Sequence, residues 1–331
     1  MEIINVPEQE LKSITEFLME KRLIFHPLIS PDGIPDFTGY LGRSYTLIID
    51  RNILTNLISL CTSGSLSDHH MLRIISSIMF WCISNNIQVN SGLALIEYAN
   101  FKDSNEQSSK ENNIFKRIFD VYSPQLWLDV ACGRSNRVPI IQPLKNEKSY
   151  TFNINSDHCH MHFIEMVHIF NLWIHQNTSP EEKVIQFLEW VNEHILFCQY
   201  SIVYASLLFS NNIKQFAQKD ITSVDSVIRI CKNQAWDLTY LSFWSTLYWD
   251  DIQKENVYLF CTMDNDLKKV FSLTHCKPME IFIECFGPTR AKRISARFNC
   301  IINNRIRPEI SKKTLDAIEL GELQKLQALF S

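Results

Sequence analysis

The chain has 331 residues, 46% of them apolar and 11% aromatic, enough to bury a sizeable core in one large domain or about two. Only 8 residues are glycine, none lies between Gly133 and Gly287, and no GxGxxG or GxxxxGK[ST] string occurs, so hairpin-rich sandwiches, Rossmann dinucleotide sites and P-loops are disfavoured. The net charge of −4 supplies no global basic field for nucleic acid.

Residues 1–44 open with a helical pattern over 8–21 and run into the loop HPLISPDGIPDFTGYLGR. The opening MEIINVPEQELKS lacks the charged-then-apolar layout of a signal peptide. YTLIID, ending at Asp50, is a continuous apolar run and predicts a strand buried on both faces. Ile53, Leu54, Leu57 and Ile58 then recur at helical spacing, a second helix is expected over 67–84, and Gly92 precedes the helical run LALIEYANF. Residues 102–113, KDSNEQSSKENN, are polar and low in complexity, which reads as a surface loop and the clearest boundary in the chain.

From 114 to 222 the pattern is mostly helical, apart from PIIQPLKNEKSYTFNI, which looks extended. SPEEKVIQFLEWVNEHILF opens with Ser179 as N-cap, Pro180 at the first helical position and Glu182 at the capping-box position. A long helix is expected over 223–249, and VYLFCT is a second buried strand. Asp264 or Asn265 then starts a helix, MEIFIECF alternates like a third strand, and helices over 289–303 and 311–329 close the chain. Strands alternating with helices predict an α/β, three-layer core around a central, mostly parallel sheet, interrupted by a large all-helical insertion. The expected divisions are 1–44, 45–113, 114–222 for the insertion, and 223–331 for the second part of the core with its basic helices. The ten cysteines include no CxxC pair and no apolar run is long enough to span a bilayer, so the chain reads as soluble, reduced, cytoplasmic and without a membrane partner.

Four acids stand out. Asp50 ends one apolar strand and Asp264 follows another, at the strand ends where sites form in open α/β sheets. Glu97 and Asp237 sit on apolar helix faces, beside Leu93 and Phe101 in one case and Leu241 and Trp244 in the other. Each has a plain structural alternative: Asp50 and Asp264 as helix caps, Glu97 and Asp237 as partners of a buried base.

The strings LIIDRNIL, LALIEYA, WDLTYLSFW and FCTMDNDLKKV, in this order, resemble the four acidic motifs of PIN-domain nucleases. The resemblance implies a PIN-like core in which Asp50, Glu97, Asp237 and Asp264 are catalytic and, with Asp266, hold Mg²⁺ or Mn²⁺. It places Thr262 where that family has Ser or Thr, and makes Thr262 and Asn52 candidates for substrate contact. The second and third motifs lie much further apart than in compact members of the family. Hard carboxylate oxygens select Mg²⁺ or Mn²⁺ over zinc, and such ions activate water against a phosphodiester. The implied activity is a metal-dependent endoribonuclease, with RNA preferred over DNA, of a kind used in toxins and antiphage defence. The alternatives are a DNA-cleaving relative and an inactive PIN-like scaffold, with the helical insertion available to a protein partner.

GPTRAKRISARFNCIINNRIRP holds a run of bases and no acid. On a helix Arg290, Arg293 and Arg297 share one face, which suits phosphate contact or, equally, a solvated face that offsets neighbouring acids. SDHCHMHFIEMVH crowds His158, His160, His162 and His168 together, with His175 just beyond. His158, His162 and Glu165 share a face that admits zinc, but a helix merely rich in histidine is the better reading.

Overall fold

The computed structural model describes residues 6–37, 42–143, 148–152, 156–214, 216, 220–251 and 256–331. In chain order the elements are α1 (Glu8–Lys21), β1 (Ile24–Phe25), β2 (Ser44–Ile49), α2 (Arg51–Ser63), α3 (His69–Ser84), β3 (Gln88–Asn90), α4 (Gly92–Lys102), α5 (Glu106–Val121) and α6 (Pro124–Ala131). They continue as α7 (Asp157–Trp173), α8 (Pro180–His194), α9 (Gln199–Phe209), α10 (Val224–Asp251), β4 (Asn256–Cys261), α11 (Asn265–Thr274), α12 (Pro278–Asn303) and α13 (Lys312–Ala328). The chain divides into two compact units: Met1–Ile154 with Trp244–Asp264, and Asn155–Phe243 with Asn265–Ser331.

The first unit is mixed α/β. Its sheet has the order β1-β4-β2-β3, with β2 parallel to both β3 and β4 and β1 antiparallel on the β4 edge. Leu47, Ile48 and Ile49 of β2 and Leu259, Phe260 and Cys261 of β4 are buried in succession, which explains their unbroken apolar sequence. Fully burying each Leu, Ile or Phe here contributes about 1.5–3 kcal/mol. Helices α2, α4 and α5 pack together, α4 also meeting β2, while α3 packs on α6. From β2 the chain reaches β3 on one side through α2 and α3, and later returns as β4 on the other side. The direction of winding therefore reverses between β2 and β4.

Among its described residues, the regular elements of the second unit are all helices. Helix α8 packs against α9 and α12, α11 against α9, and α13 against α7. Ser179 caps α8 as its sequence predicts, its hydroxyl accepting from the Glu182 N–H at 3.3 Å.

Three expectations need correction. Residues 102–113 are not one surface loop: Lys102 ends α4, 103–105 make a short turn, 106–113 are the first half of α5, and the expected boundary at 113 falls inside that helix. Its polar residues are buried with partners, Ser108 donating to the Leu95 carbonyl at 3.0 Å and Ser109 to that of Tyr150 at 3.0 Å. MEIFIECF is not a strand but the first half of α12. Glu280 accepts from the Lys277 N–H at 3.1 Å and Pro278 sits at the first turn, so the local signal for a helix start outweighs the period-two alternation. Helix α12 then breaks at Gly287, whose φ of 76° and ψ of 166° only glycine adopts readily. The basic helices counted with the second part of the core, 265–331, belong to the helical unit instead. The described part of PIIQPLKNEKSYTFNI has neither helix nor strand, and 144–147 and 153–154 lie outside the described residues. No helix among the described residues is long and apolar enough to cross a membrane.

Candidate active site

Asp50 and Asp264 follow the carboxyl ends of β2 and β4, which pair in register from Ser44↔Asn256 to Ile49↔Cys261. The Asp50 N–H closes the last of these pairs, donating to the Cys261 carbonyl at 3.0 Å. At the same point the winding reverses, the place where open α/β sheets form their sites.

Asp50 is 4% exposed and also caps α2, its Oδ1 accepting from the Ile53 N–H at 2.8 Å. Its Oδ2 accepts the Thr262 hydroxyl at 2.5 Å, and Thr262 Oγ1 in turn accepts the Asp264 N–H at 3.0 Å. Thr262 thus links the two strand-end acids through one oxygen. Burial pushes the Asp50 carboxyl up to about 6; the bonds from Thr262, Ile53 and Met263 oppose this, and the nearby Asp264 charge adds to it. The sequence alternative, Asp50 as a cap, is thus realised together with the strand-end position.

Of the remaining candidates in this unit, Asn52 is exposed in the first turn of α2, and Glu97 is half-buried on α4. The second unit holds Asp237, half-buried on α10, and Asp266 in the first turn of α11, with the Lys269 ammonium 3.7 Å away. The structure therefore gathers Asp50, Thr262 and Asp264. Among the described residues no group of three or more His, Cys, Asp or Glu side chains is arranged to hold a metal ion.

The arginine face has acidic partners within its own unit. Arg293 meets Glu182 at 2.6 Å and Arg297 meets Glu189 at 2.6 Å, while Arg290 lies 3.8 Å from Glu181. These pairs join α12 to α8 and match the reading of a face that offsets neighbouring acids, although the arginine side chains stay about half exposed.

The histidine-rich helix α7 is a buried polar spine. His162 Nδ1 lies 2.6 Å from Glu165 Oε2 and its Nε2 3.0 Å from the Ser242 hydroxyl, while Ser201 donates to Glu165 Oε1 at 2.8 Å. His160 meets Glu319 at 2.6 Å, and His168 stacks on Trp190 with ring centres 4.1 Å apart. His158 is half-buried and burial lowers its pKa, while His175 is exposed.

Sequence reasoning missed Arg51, the residue after Asp50. Its guanidinium makes two bonds to Glu111, at 2.6 and 3.0 Å, and lies 4.2 Å over the Tyr98 ring. This clamp fixes the first turn of α2 to α4 and α5. Its partner lay in the segment read as a loop, so nothing local pointed to it.

No protein-family model, curated protein or solved structure matches the chain.

Proposed function

We propose that the chain is a metal-dependent phosphodiesterase, an endoribonuclease of PIN-like type, in which Asp50 and Asp264 would hold Mg²⁺ or Mn²⁺. The observation that supports it is the pair of acids at neighbouring parallel strand ends, at the reversal of winding, where burial and, to a smaller degree, the Asp264 charge raise the Asp50 pKa to about 6, so that a nearby cation would favour its ionised form. The donor set fits: Mg²⁺ commonly takes only one or two protein carboxylates and keeps several waters. When bound, the ion would supply water activation and charge stabilisation at phosphorus. Thr262 holds Asp50 in a fixed orientation, and Asn52 offers an exposed amide beside it to a phosphate oxygen. The resemblance would add Glu97, Asp237 and Asp266 as ligands, but among the described residues no three acids are arranged to hold an ion, so the proposal rests on Asp50 and Asp264. Arg290, Arg293 and Arg297 would bind RNA only by exchanging Glu181, Glu182 and Glu189 for phosphates. A cytoplasmic toxin or antiphage effector is the setting in which such an activity would serve.

The inactive-scaffold reading has its own observation. Asp50 already accepts from three donors, so burial and capping account for it without an ion. The test is a panel of end-labelled RNA and single-stranded DNA incubated with Mg²⁺ or Mn²⁺, using the wild type and the Asp50→Asn/Asp264→Asn variant. Metal-dependent RNA cleavage that the double variant abolishes supports the enzyme, and cleavage of DNA alone moves it to the DNA-cleaving class. No cleavage by the wild type, or equal cleavage by both proteins, overturns it.

A further inference from the structure

In the second unit, the start of α7 and the connector between α12 and α13 border a cleft of about 300 Å³. Its lining is mostly apolar: Met161 and Leu315 are buried, while Leu196, Pro308 and Ile310 are half-buried. Asp157, His158 and Arg307 complete it. The volume is at the lower end of the range for small-molecule sites, and an apolar lining with a few polar groups is their usual composition.

The charged groups at this cleft are open to solvent and uncommitted. Arg305, just outside it, is engaged: Nη2 donates to the Ile195 carbonyl at 3.1 Å and the guanidinium lies 4.1 Å over the Phe197 ring. Arg307 is exposed and makes no hydrogen bond or ion pair with any described residue. Asp157, in the first turn of α7, is likewise exposed and has no such partner among the described residues. Opposite charges thus border one cleft without closing on each other. Burial lowers the pKa of the half-buried His158, so at neutral pH its ring is uncharged and one ring nitrogen can accept a hydrogen bond. A purely anionic ligand would meet the Asp157 charge, and a purely cationic one the Arg307 charge. The matching ligand carries both signs and a short apolar body: a carboxylate for the Arg307 fork, an ammonium for Asp157 and His158, and an alkyl or aryl group for Met161, Leu196 and Leu315.

We propose that this cleft binds a free apolar α-amino acid, of the size of leucine, methionine or phenylalanine, with its carboxylate on Arg307 and its ammonium on Asp157. Arg307, Pro308 and Ile310 belong to the connector that leads into α13, so the bound amino acid ties that connector to the first turns of α7. The site shares no residue with the Asp50 and Asp264 pair, so it stands or fails independently of the nuclease reading.

The experiment is equilibrium dialysis of the full chain against radiolabelled L-leucine, L-methionine and L-phenylalanine, with glycine as control. At least one of the three should bind with a Kd below about 1 mM, and glycine at least about tenfold more weakly for want of a side chain. Arg307→Gln and Asp157→Asn change exposed side chains that hold nothing in the fold, and each should weaken binding about tenfold or more, as expected for losing a charge-assisted bond. L-Leucinamide lacks the carboxylate and N-acetyl-L-leucine lacks the ammonium, so each should compete with labelled leucine less well than leucine itself. Arg307→Gln should cost leucinamide less than leucine, and Asp157→Asn should cost N-acetyl-leucine less than leucine. Hydrogen exchange locates the ligand: amides over 304–311 should exchange more slowly at saturation with the amino acid that binds. No binding of any of the three at about 10 mM overturns the proposal. So does binding that either substitution leaves unchanged, competition by either analogue as strong as by leucine, or unaltered exchange over 304–311.

Discussion

Thr262 donates its hydroxyl to Asp50 Oδ2 across 2.5 Å, tying the end of β4 to the end of β2 where both strands leave the sheet. Because Thr262 is fully buried, its hydroxyl has no bulk solvent to turn to, and losing Asp50 as acceptor would leave it unpaired.

Thr262→Val keeps the shape and removes that donor. Asp50 would retain the Ile53 and Met263 N–H groups, so the loss should be about 1–3 kcal/mol and not a collapse of the fold. Thr262→Ser keeps the hydroxyl and should lose clearly less. Urea midpoints of the two variants decide it: equal losses would mean that packing, not the hydrogen bond, is what Thr262 supplies.

The Arg51–Glu111 pair is the other polar anchor of α2, with the two side chains 15% and 7% exposed. Glu111→Gln leaves a guanidinium buried against Tyr98 without its counter-charge and should cost about 3–5 kcal/mol. Replacing both partners together, Arg51→Met with Glu111→Leu, should recover much of that loss. A double-mutant cycle in urea that shows simple additivity would refute a coupled pair.

That pair also shows why part of the fold was illegible. YTLIID and VYLFCT announce their burial because both faces of each strand are covered, so the pattern is local and unbroken. Asp50 and Asp264 were readable for the same reason, each being the first polar group after such a run. The segment KDSNEQSSKENN has no apolar signal, since its buried face is made of Ser108, Ser109, Glu111 and Asn112. What makes those residues tolerable inside is Arg51, Leu95 and Tyr150, which lie far away in sequence. The arginine face of α12 was legible as charge, but its meaning depended on the acids of α8, more than a hundred residues earlier. MEIFIECF failed differently: two compatible periods were present, and the capping at Lys277 and Glu280 decided between them.

Gly287 offers a clean backbone test. A Cβ there would meet no atom within 4 Å, so the cost of Gly287→Ala comes only from φ 76° and ψ 166°, and should be about 1–3 kcal/mol. Gly321 lies inside α13 with equally open space and no left-handed φ, so Gly321→Ala should stabilise by about 0.4–1 kcal/mol. Thermal unfolding of the two variants should move in opposite directions. A shift of the same sign in both would show that the break in α12 is not held by its glycine.

The docking of α13 on α7 should weaken in acid in two stages. Glu322 is buried and accepts from Asn171 Nδ2 at 2.9 Å and Lys325 at 2.7 Å, with His168 Nδ1 at 3.0 Å. Burial works to raise its pKa, but His168, Lys325 and Asn171 outweigh it and hold the carboxyl down at about 2. An acid whose folded pKa lies below its ordinary 4.5 stabilises the fold above that value, and the contribution is lost as pH falls from 4.5 towards 2. Burial lowers the pKa of His168 below its ordinary 6.5, so the unfolded chain takes up this proton first and stability also falls as pH drops below 6.5. Both groups therefore push in one direction, over different windows. Unfolding free energies measured from pH 7.5 to 2.5 should show the upper limb flattened in His168→Gln and the lower limb flattened in Glu322→Gln. An unchanged pH profile in both variants would place the acid sensitivity of this helix pair elsewhere.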